Sequence, residues 1–483
     1  MENKNYVCYE DFGAVGDGVT DDMPAIVKAH DYANANGLRV MTKPDAVYYI
    51  GGKDITAVIK TSVDFSTSKF IIDDRNLENV RNHIFSVESD FAPFDIDIKE
   101  LRRGQDTLDI PVEGMLLIRV FNGDKRVYIR KGVNANDGTP QSDVIAVDKA
   151  GCILTTVDYD YDKITRAYAK RVDDPAICIN GGIFTTIANQ WERVYNYHYR
   201  NFKVTRSNVT FRNLLHLIEG EGEDGAPYEG FIRADETVNL TIKDCTFTPH
   251  KTYLTKDSTP ERKINMGTYE IYLTATVNTV LSGVNQTRDI MDTAYWGLMG
   301  SNFCKDILLE DCNISRFDAH MGVSRGVIRR CRLGHQCLNL IGFDDFLIED
   351  TFALGNSFVS LRGDYGSTFR GNLTIRNCVW KPKLKNNTCI ISAANDGSHD
   401  FGYRCYMPTV IKIENLTVED EDVIPGTPLH ILPKYDSNYA PNKPFAIKPT
   451  EYLRYSGIVS KTGRVAQLCP DPELYPCIEV DER

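Results

Sequence analysis

The chain has 483 residues, 25% of them charged and 42% hydrophobic, and a mean hydropathy of -0.31, the balance of a folded protein rather than a disordered one. Lys and Arg number 55 against 67 Asp and Glu, a formal net charge of -12 with no basic stripe, which argues against nucleic acid and anionic membranes as partners. The opening MENKNYVCYEDFG has no apolar core and no run of ~18 apolar residues occurs anywhere, so neither a signal peptide nor a membrane span is expected. Read this way the chain is cytoplasmic, although a secreted chain trimmed of its signal would read the same. Its 13 cysteines form no C-x-x-C pair and no Cys/His set at zinc spacing, which points to reduced thiols and no structural metal.

Near the N-terminus stands Asp11-Phe12-Gly13-Ala14-Val15-Gly16-Asp17-Gly18-Val19-Thr20-Asp21-Asp22, followed by Pro24, apolar Ile26, Val27, Ala29 and Ala33, and Gly37. Pro at the start and Gly at the end predict a helix between them. The motif closely resembles the opening of right-handed parallel β-helices of the pectate-lyase superfamily, a group that includes polygalacturonase-like hydrolases, phage tailspikes and epimerases. The resemblance implies an all-β solenoid whose open end is capped by this helix, and work on carbohydrate. Physically a cap is needed, because a bare end coil would expose apolar stacks and strand edges. The acids and glycines of the motif are therefore expected to be structural. Residues 1–87 are read as the cap and first coils.

Beyond the strand at Phe70-Ile71-Ile72 the solenoid pattern stops. Residues 88–172 instead carry hairpin-like strands, among them Leu116–Phe121 and Arg126–Arg130 around Asn122-Gly123-Asp124-Lys125, as expected of an inserted β-subdomain. Coils resume at Ala176-Ile177-Cys178-Ile179, and 173–420 is read as the main β-helix. Here a short pattern recurs: Asn-Leu-Thr-Ile-Lys-Asp-Cys at 239–245, Asp-Ile-Leu-Leu-Glu-Asp-Cys at 306–312, Arg-Gly-Val-Ile-Arg-Arg-Cys at 325–331, Asp-Phe-Leu-Ile-Glu-Asp-Thr at 345–351 and Asn-Leu-Thr-Ile-Arg-Asn-Cys at 372–378. Steps of 19, 20 and 27 residues between Cys312, Cys331, Thr351 and Cys378 are too short for helical repeats and fit one β-solenoid turn each. Alternation places Leu240 and Ile242, or Ile307 and Leu309, inside. Cys245, Cys312, Cys331 and Cys378 are then expected to form a buried row, as small apolar fillers. The Pro-rich segment 421–483 is read as extended chain wrapping the last coils.

Solenoid enzymes hold their chemistry on an outer sheet face, where adjacent coils align side chains about 4.8 Å apart. Acids, histidines and aromatics concentrate at coil spacing only between 288 and 366. In Arg316-Phe317-Asp318-Ala319-His320-Met321, alternation sends Phe317, Ala319 and Met321 inward and Arg316, Asp318 and His320 outward together. The segment also looks like the Asp-Pro-His core of alginate-epimerase β-helices, which implies Asp318 and His320 as the matching positions. Ala319 replaces the proline there, and Arg316-Phe317 replaces a Tyr-Gly, so the tyrosine of that family is missing. Asp344, Asp345 and Asp364 complete the catalytic candidates. The Asp344-Asp345 pair is similar to the paired aspartates of polygalacturonase-like enzymes, as Gly334-His335 is to part of their Gly-His-Gly, although the companion motifs are absent. For binding, Tyr295, Trp296 and Tyr365 are candidates to stack on sugar rings. Arg325 and Arg362 are candidates to hold a carboxylate, and His335 to position the acids. His216, His250 and His399 have no companions at useful spacing and are read as structural.

The leading expectation is a glycoside hydrolase with two of these aspartates as acid and base. The alternatives are a uronate lyase or C5-epimerase in which His320 takes the C5 proton, and a tailspike-like protein that only binds glycan. No cofactor is expected; a Ca2+ requirement would favour the lyase alternative. The partner is an oligo- or polysaccharide, and a homo-oligomer stays open.

Overall fold

The computed structural model describes residues 5–110, 113–130, 135–256, 264–393, 402–433, 447–470 and 478–482. They form a right-handed parallel β-helix, and the chain divides into two compact units, residues 1–92 with 171–299 and residues 93–170 with 300–483.

In the first unit the helix Met23–Asn36 forms where Pro24 and Gly37 predict it, and buries Ile26, Ala29, His30 and Ala33. The acids before it are structural: Asp22 accepts from the backbone N–H of Val15 and Gly16, and Asp17 from those of Val19 and Thr20. Parallel strands Val47–Ile50, Val63–Asp73, Ile177–Ile187 and Leu215–Glu219 then stack in register, aligning Tyr48, Phe70, Phe184 and His216 in one core row. The rings of Phe70 and Phe184 stack at 4.6 Å, although the whole insertion lies between them in sequence. The coil thus resumes where it was interrupted.

The recurring sequence pattern proves to be a corner, a short strand and a second corner. Asn239, Asp306 and Arg325 open their copies at φ 59, 56 and 60°, and Asp244, Asp311, Arg330, Asp350 and Asn377 end theirs at φ 52, 55, 51, 49 and 51°. After glycine, Asn and Asp tolerate this left-handed backbone best, which accounts for the bookends other than Arg325 and Arg330. At the Asn corners the side chains also bond coil to coil, Asn278 to Asn239 at 2.6 Å and Asn239 to Asn208 at 2.8 Å.

In the second unit Cys312, Cys331, Thr351 and Cys378 lie in one row, all buried. Each donates its S–H or O–H to the carbonyl two residues back, at 3.2, 3.2, 2.8 and 3.1 Å. The thiols are therefore donors at a turn as well as fillers, and this is why Thr351 can take the same place. Cys245 makes the same bond in the first unit, to Lys243 at 3.2 Å. Outside the core, Glu310, Arg329, Glu349, Arg376 and Glu414 alternate in charge from coil to coil, with Arg329 2.7 Å from Glu310 and Arg376 3.0 Å from Glu414. Tyr452–Ser460 and Glu479–Glu482 add two further parallel strands beyond Val410–Val418.

Residues 93–170 carry an antiparallel sheet with a core of its own, including Leu101, Ile118, Val120, Ile145 and Ala169. The hairpin expected around Asn122-Gly123 is not there: Leu116–Val127 is one strand, paired with Thr139–Val147. Asn122 and Gly123 bond sideways to Asp162 and Thr165 instead of closing a turn. Lys305, fully buried, fixes this sheet to the coils through Asp143 and, at 3.3 Å, Asp158, whose other oxygen accepts from Ser324 at 2.8 Å.

Candidate functional site

The strand Asn313–Arg329 carries the site, and Phe317 and Ala319 point into the core as expected, whereas Met321, also expected inside, is partly exposed. Phe317 and Ala319 are fully buried in the core, and Asp318 faces away from them, in a row with Asn339 and Ser360 of the next two coils. Asp318 is nevertheless 0% exposed, because the coil two steps on ends in Arg362 and the turn Gly363–Tyr365, which fold over this face. One oxygen of Asp318 receives Arg316 and Arg362, each at 2.5 Å. Arg362 also binds Asp364 with two N–H groups, at 2.8 and 3.1 Å, and Arg130 of the insertion reaches Asp364 at 3.0 Å. Burial would raise the Asp318 pKa, but Arg316 and Arg362 outweigh it and hold the carboxyl well below the usual range.

His320 lies beside this lattice, partly exposed. Its Nδ1 is 2.9 Å from Oδ1 of Asn302, one coil back. An amide oxygen can only accept, so Nδ1 carries the proton and Nε2 keeps its lone pair. That lone pair faces the hydroxyl of Tyr365 at 3.4 Å. Burial, reinforced by the charge of Arg362, pushes the His320 pKa down to about 3, so the ring is neutral at physiological pH. Burial raises the Tyr365 pKa, so its hydroxyl keeps its proton. The rings of His320 and Tyr365 meet edge-on at 5.7 Å, and the other side of Tyr365 is held by Tyr128 at 5.9 Å and by Tyr403, which donates to its carbonyl at 2.5 Å.

Of the sequence candidates, Asp318, His320, Arg362, Asp364 and Tyr365 therefore come together. Asp344, Asp345 and Arg325 do not join them in this row. They sit around the next corner, where Asp344 turns the chain at φ 66° and Arg325 binds Asp306 of the preceding coil. Asp345 is exposed and accepts from Asn372 at 2.7 Å. His335 is buried within the strand Arg332–Leu340, opposite an irregularity in its pairing with Asn313–Arg329. Tyr295 and Trp296 belong to the first unit: Tyr295 lies under Arg288 at 4.8 Å, and Trp296 packs against Tyr269 at 6.0 Å and over Gly267, where a Cβ would strike its ring.

Sequence reasoning missed Arg130, Tyr128 and Asn302. Only Asn302 left a signal, standing 18 residues before His320, close to one coil. His216 and His250, read as lacking companions, have them in three dimensions: His216 meets Glu270 at 2.5 Å, and His250 lies between Glu221 at 2.9 Å and Glu270 at 3.3 Å. His399 lies outside the described residues.

No family model matches this sequence, and no curated protein does. Solved structures do. The tailspike of Pseudomonas phage phi297 matches with a TM-score of 0.58 at 12% identity, over 99% of this chain and 84% of that one. The chain shares their fold. The tailspike of Pseudomonas phage LKA1 gives a TM-score of 0.53 at 14% identity, over 94% of this chain and 81% of that one. The parallel β-helix expected from Asp11–Asp22 and the recurring pattern is the fold found.

Proposed function

We propose that the protein acts on a uronate-containing polysaccharide by proton abstraction and β-elimination, with His320 as base and Tyr365 as acid. The observation that carries this reading is the facing pair itself, a neutral imidazole Nε2 and a protonated phenol 3.4 Å apart beside a cluster of arginines. Nε2 of His320 takes the C5 proton, the C4–C5 double bond forms as the C4–O bond breaks, and the Tyr365 hydroxyl protonates the leaving oxygen. The proton on His320 then returns to Tyr365 across the gap, which resets the site. Arg316, Arg362 and Arg130 outnumber Asp318 and Asp364 by one charge, so one substrate carboxylate makes the cluster neutral.

Hydrolysis by paired aspartates fits this geometry less well. It needs one protonated carboxyl, whereas Asp318 is held ionised by two guanidiniums and both oxygens of Asp364 are occupied by N–H donors. The saccharide class rests on the resemblance of Asp11–Asp22 to the opening of pectate-lyase-superfamily proteins and on the tailspike fold. A panel of uronate and neutral polysaccharides decides between the chemistries. Elimination yields new chain ends that absorb in the ultraviolet, hydrolysis yields reducing ends without that absorbance, and C5 epimerisation changes the sugar signals in NMR without shortening the chain. Binding with no product of any kind would leave a glycan-binding protein.

A further inference from the structure

A surface cavity of about 560 Å³ opens in the second unit between the strand Leu116–Val127 of the insertion and the coil corners at Phe343, Thr368 and Tyr406. The volume suits one or two sugar rings. Its walls combine aromatic rings (Tyr128, Tyr159, Phe343, Tyr403 and Tyr406) with the cations Lys125, Arg126, Arg370 and Arg404. Lys125 is paired with Asp162 at 2.7 Å, and Arg370 lies over the Tyr406 ring at 4.9 Å. Among the described residues, no acidic partner meets Arg126, Arg370 or Arg404. The two acids on the wall are engaged elsewhere, Asp124 with Lys163 and Asp160 with the backbone of Arg103. On a chain of net charge -12, three guanidiniums that meet no carboxylate among the described residues, against one wall acid, Asp160, whose charge only a backbone N–H receives, are a local excess of positive charge.

Two of the cavity's wall residues touch the catalytic candidates: Tyr128 packs on Tyr365, and Tyr403 donates to its carbonyl. We infer that this cavity is a subsite for a second carboxylated sugar of the same chain, so that the substrate is a polymer with uronates at neighbouring positions rather than a neutral glycan with a single acidic unit. The aromatic rings supply stacking faces and the arginines supply paired N–H donors for carboxylate. The inference rests on the function proposed above for the choice of saccharide, and the insertion is what builds the site.

The test is calorimetric binding to the full chain carrying His320→Gln, so that no ligand is consumed. The probes are oligosaccharides of polygalacturonate, alginate and hyaluronan, each beside its carboxyl-reduced counterpart. Arg126 and Arg404 are exposed, so Arg126→Gln with Arg404→Gln leaves the fold intact. At least one uronate probe is expected to bind, to lose about tenfold or more in affinity in the doubly substituted protein, and to bind far better than its reduced form. The subsite is overturned if no uronate probe binds, if the substituted protein binds it as the parent does, or if the reduced form binds equally well. Failure of the catalytic reading looks different: arginine-dependent uronate binding with no turnover by the unsubstituted chain sinks the chemistry and keeps the subsite.

Discussion

The hydroxyl of Tyr365 stands 3.4 Å from Nε2 of His320, although 45 residues separate them in the chain. The solenoid brings about this meeting by returning the backbone to the same face two coils later. If the two share a proton during elimination, His320→Gln and Tyr365→Phe should each lower turnover by about 10²-fold or more, as removal of a positioned acid or base does. Neither removes a buried charge, so thermal unfolding should stay near that of the parent. Rates measured by ultraviolet absorbance, beside melting curves, separate the two effects. Normal turnover in His320→Gln would end the proposal.

Asp318 has a different part. It lies between Arg316 and Arg362 and is fully buried, so Asp318→Asn keeps the shape but strands two guanidiniums with only the charge of Asp364 nearby. Breaking a buried ion pair from one side costs about 3–5 kcal/mol. The substitution should therefore shift the urea midpoint as well as activity, and Arg362, whose guanidinium lies over the Tyr365 ring at 5.5 Å, should lose that position. Loss of activity at unchanged stability would instead identify Asp318 as a group that acts on substrate directly.

The outline of this arrangement was legible in the sequence, and the reasons it stopped short are physical. Alternation about Phe317 and Ala319 correctly put Arg316, Asp318 and His320 on one side, and the cysteine spacing gave the coil length. Burial of Asp318 could not be read, because what covers it is the turn at Arg362–Tyr365, two coils on. The acid of the proposed chemistry, Tyr365, reaches His320 through a coil step that local spacing does not encode. Asp344 stands at a left-handed corner, and such corners select the same residue types that acid–base sites do. Arg130 comes from the insertion, which has no periodicity to place it.

Several histidines are held as neutral rings, His30 and His198 fully buried and His83 and His320 half-buried. Burial lowers the pKa of His30 and His320 to about 3 and of His83 and His198 to about 4. A folded pKa below the unfolded value of about 6.5 means that the unfolded chain binds protons first, so these groups give their full stability above about 6.5 and lose it as pH falls toward their folded values. His250, whose pKa rises between Glu221 and Glu270 despite the cost of burial, works in the opposite sense. The lowered groups outnumber it, and each contributes about 1.4 kcal/mol per pH unit over its window. Melting temperature should hold steady from pH 8 to about pH 7 and drop steadily toward pH 5, where few carboxylates yet titrate. In kinetics, kcat/KM should show no inflection near pH 6.5, because His320 stays unprotonated well below it.

The row of Cys312, Cys331, Thr351 and Cys378 separates two accounts of why cysteine recurs. If the thiol were only an apolar filler, Cys331→Ala would be the mildest change and a hydroxyl would be unwelcome in the core. Cys331 instead donates to the carbonyl of Arg329 at 3.2 Å, where the backbone leaves the strand at the left-handed corner of Arg330, and Thr351 makes the same bond at 2.8 Å one coil on. Cys331→Thr should then be tolerated within about 1 kcal/mol, since it restores a donor of the kind already accepted in this row. Cys331→Ala should cost more, about 1–3 kcal/mol, by leaving a small void and removing one of the two donors to the Arg329 carbonyl, which keeps the N–H of Asp311. Cys331→Asp places an uncompensated charge between Cys312 and Thr351 and should prevent folding at ordinary temperature. Chemical denaturation of the three variants gives the order directly, and Ala proving more stable than Thr would return the cysteines to a purely apolar role.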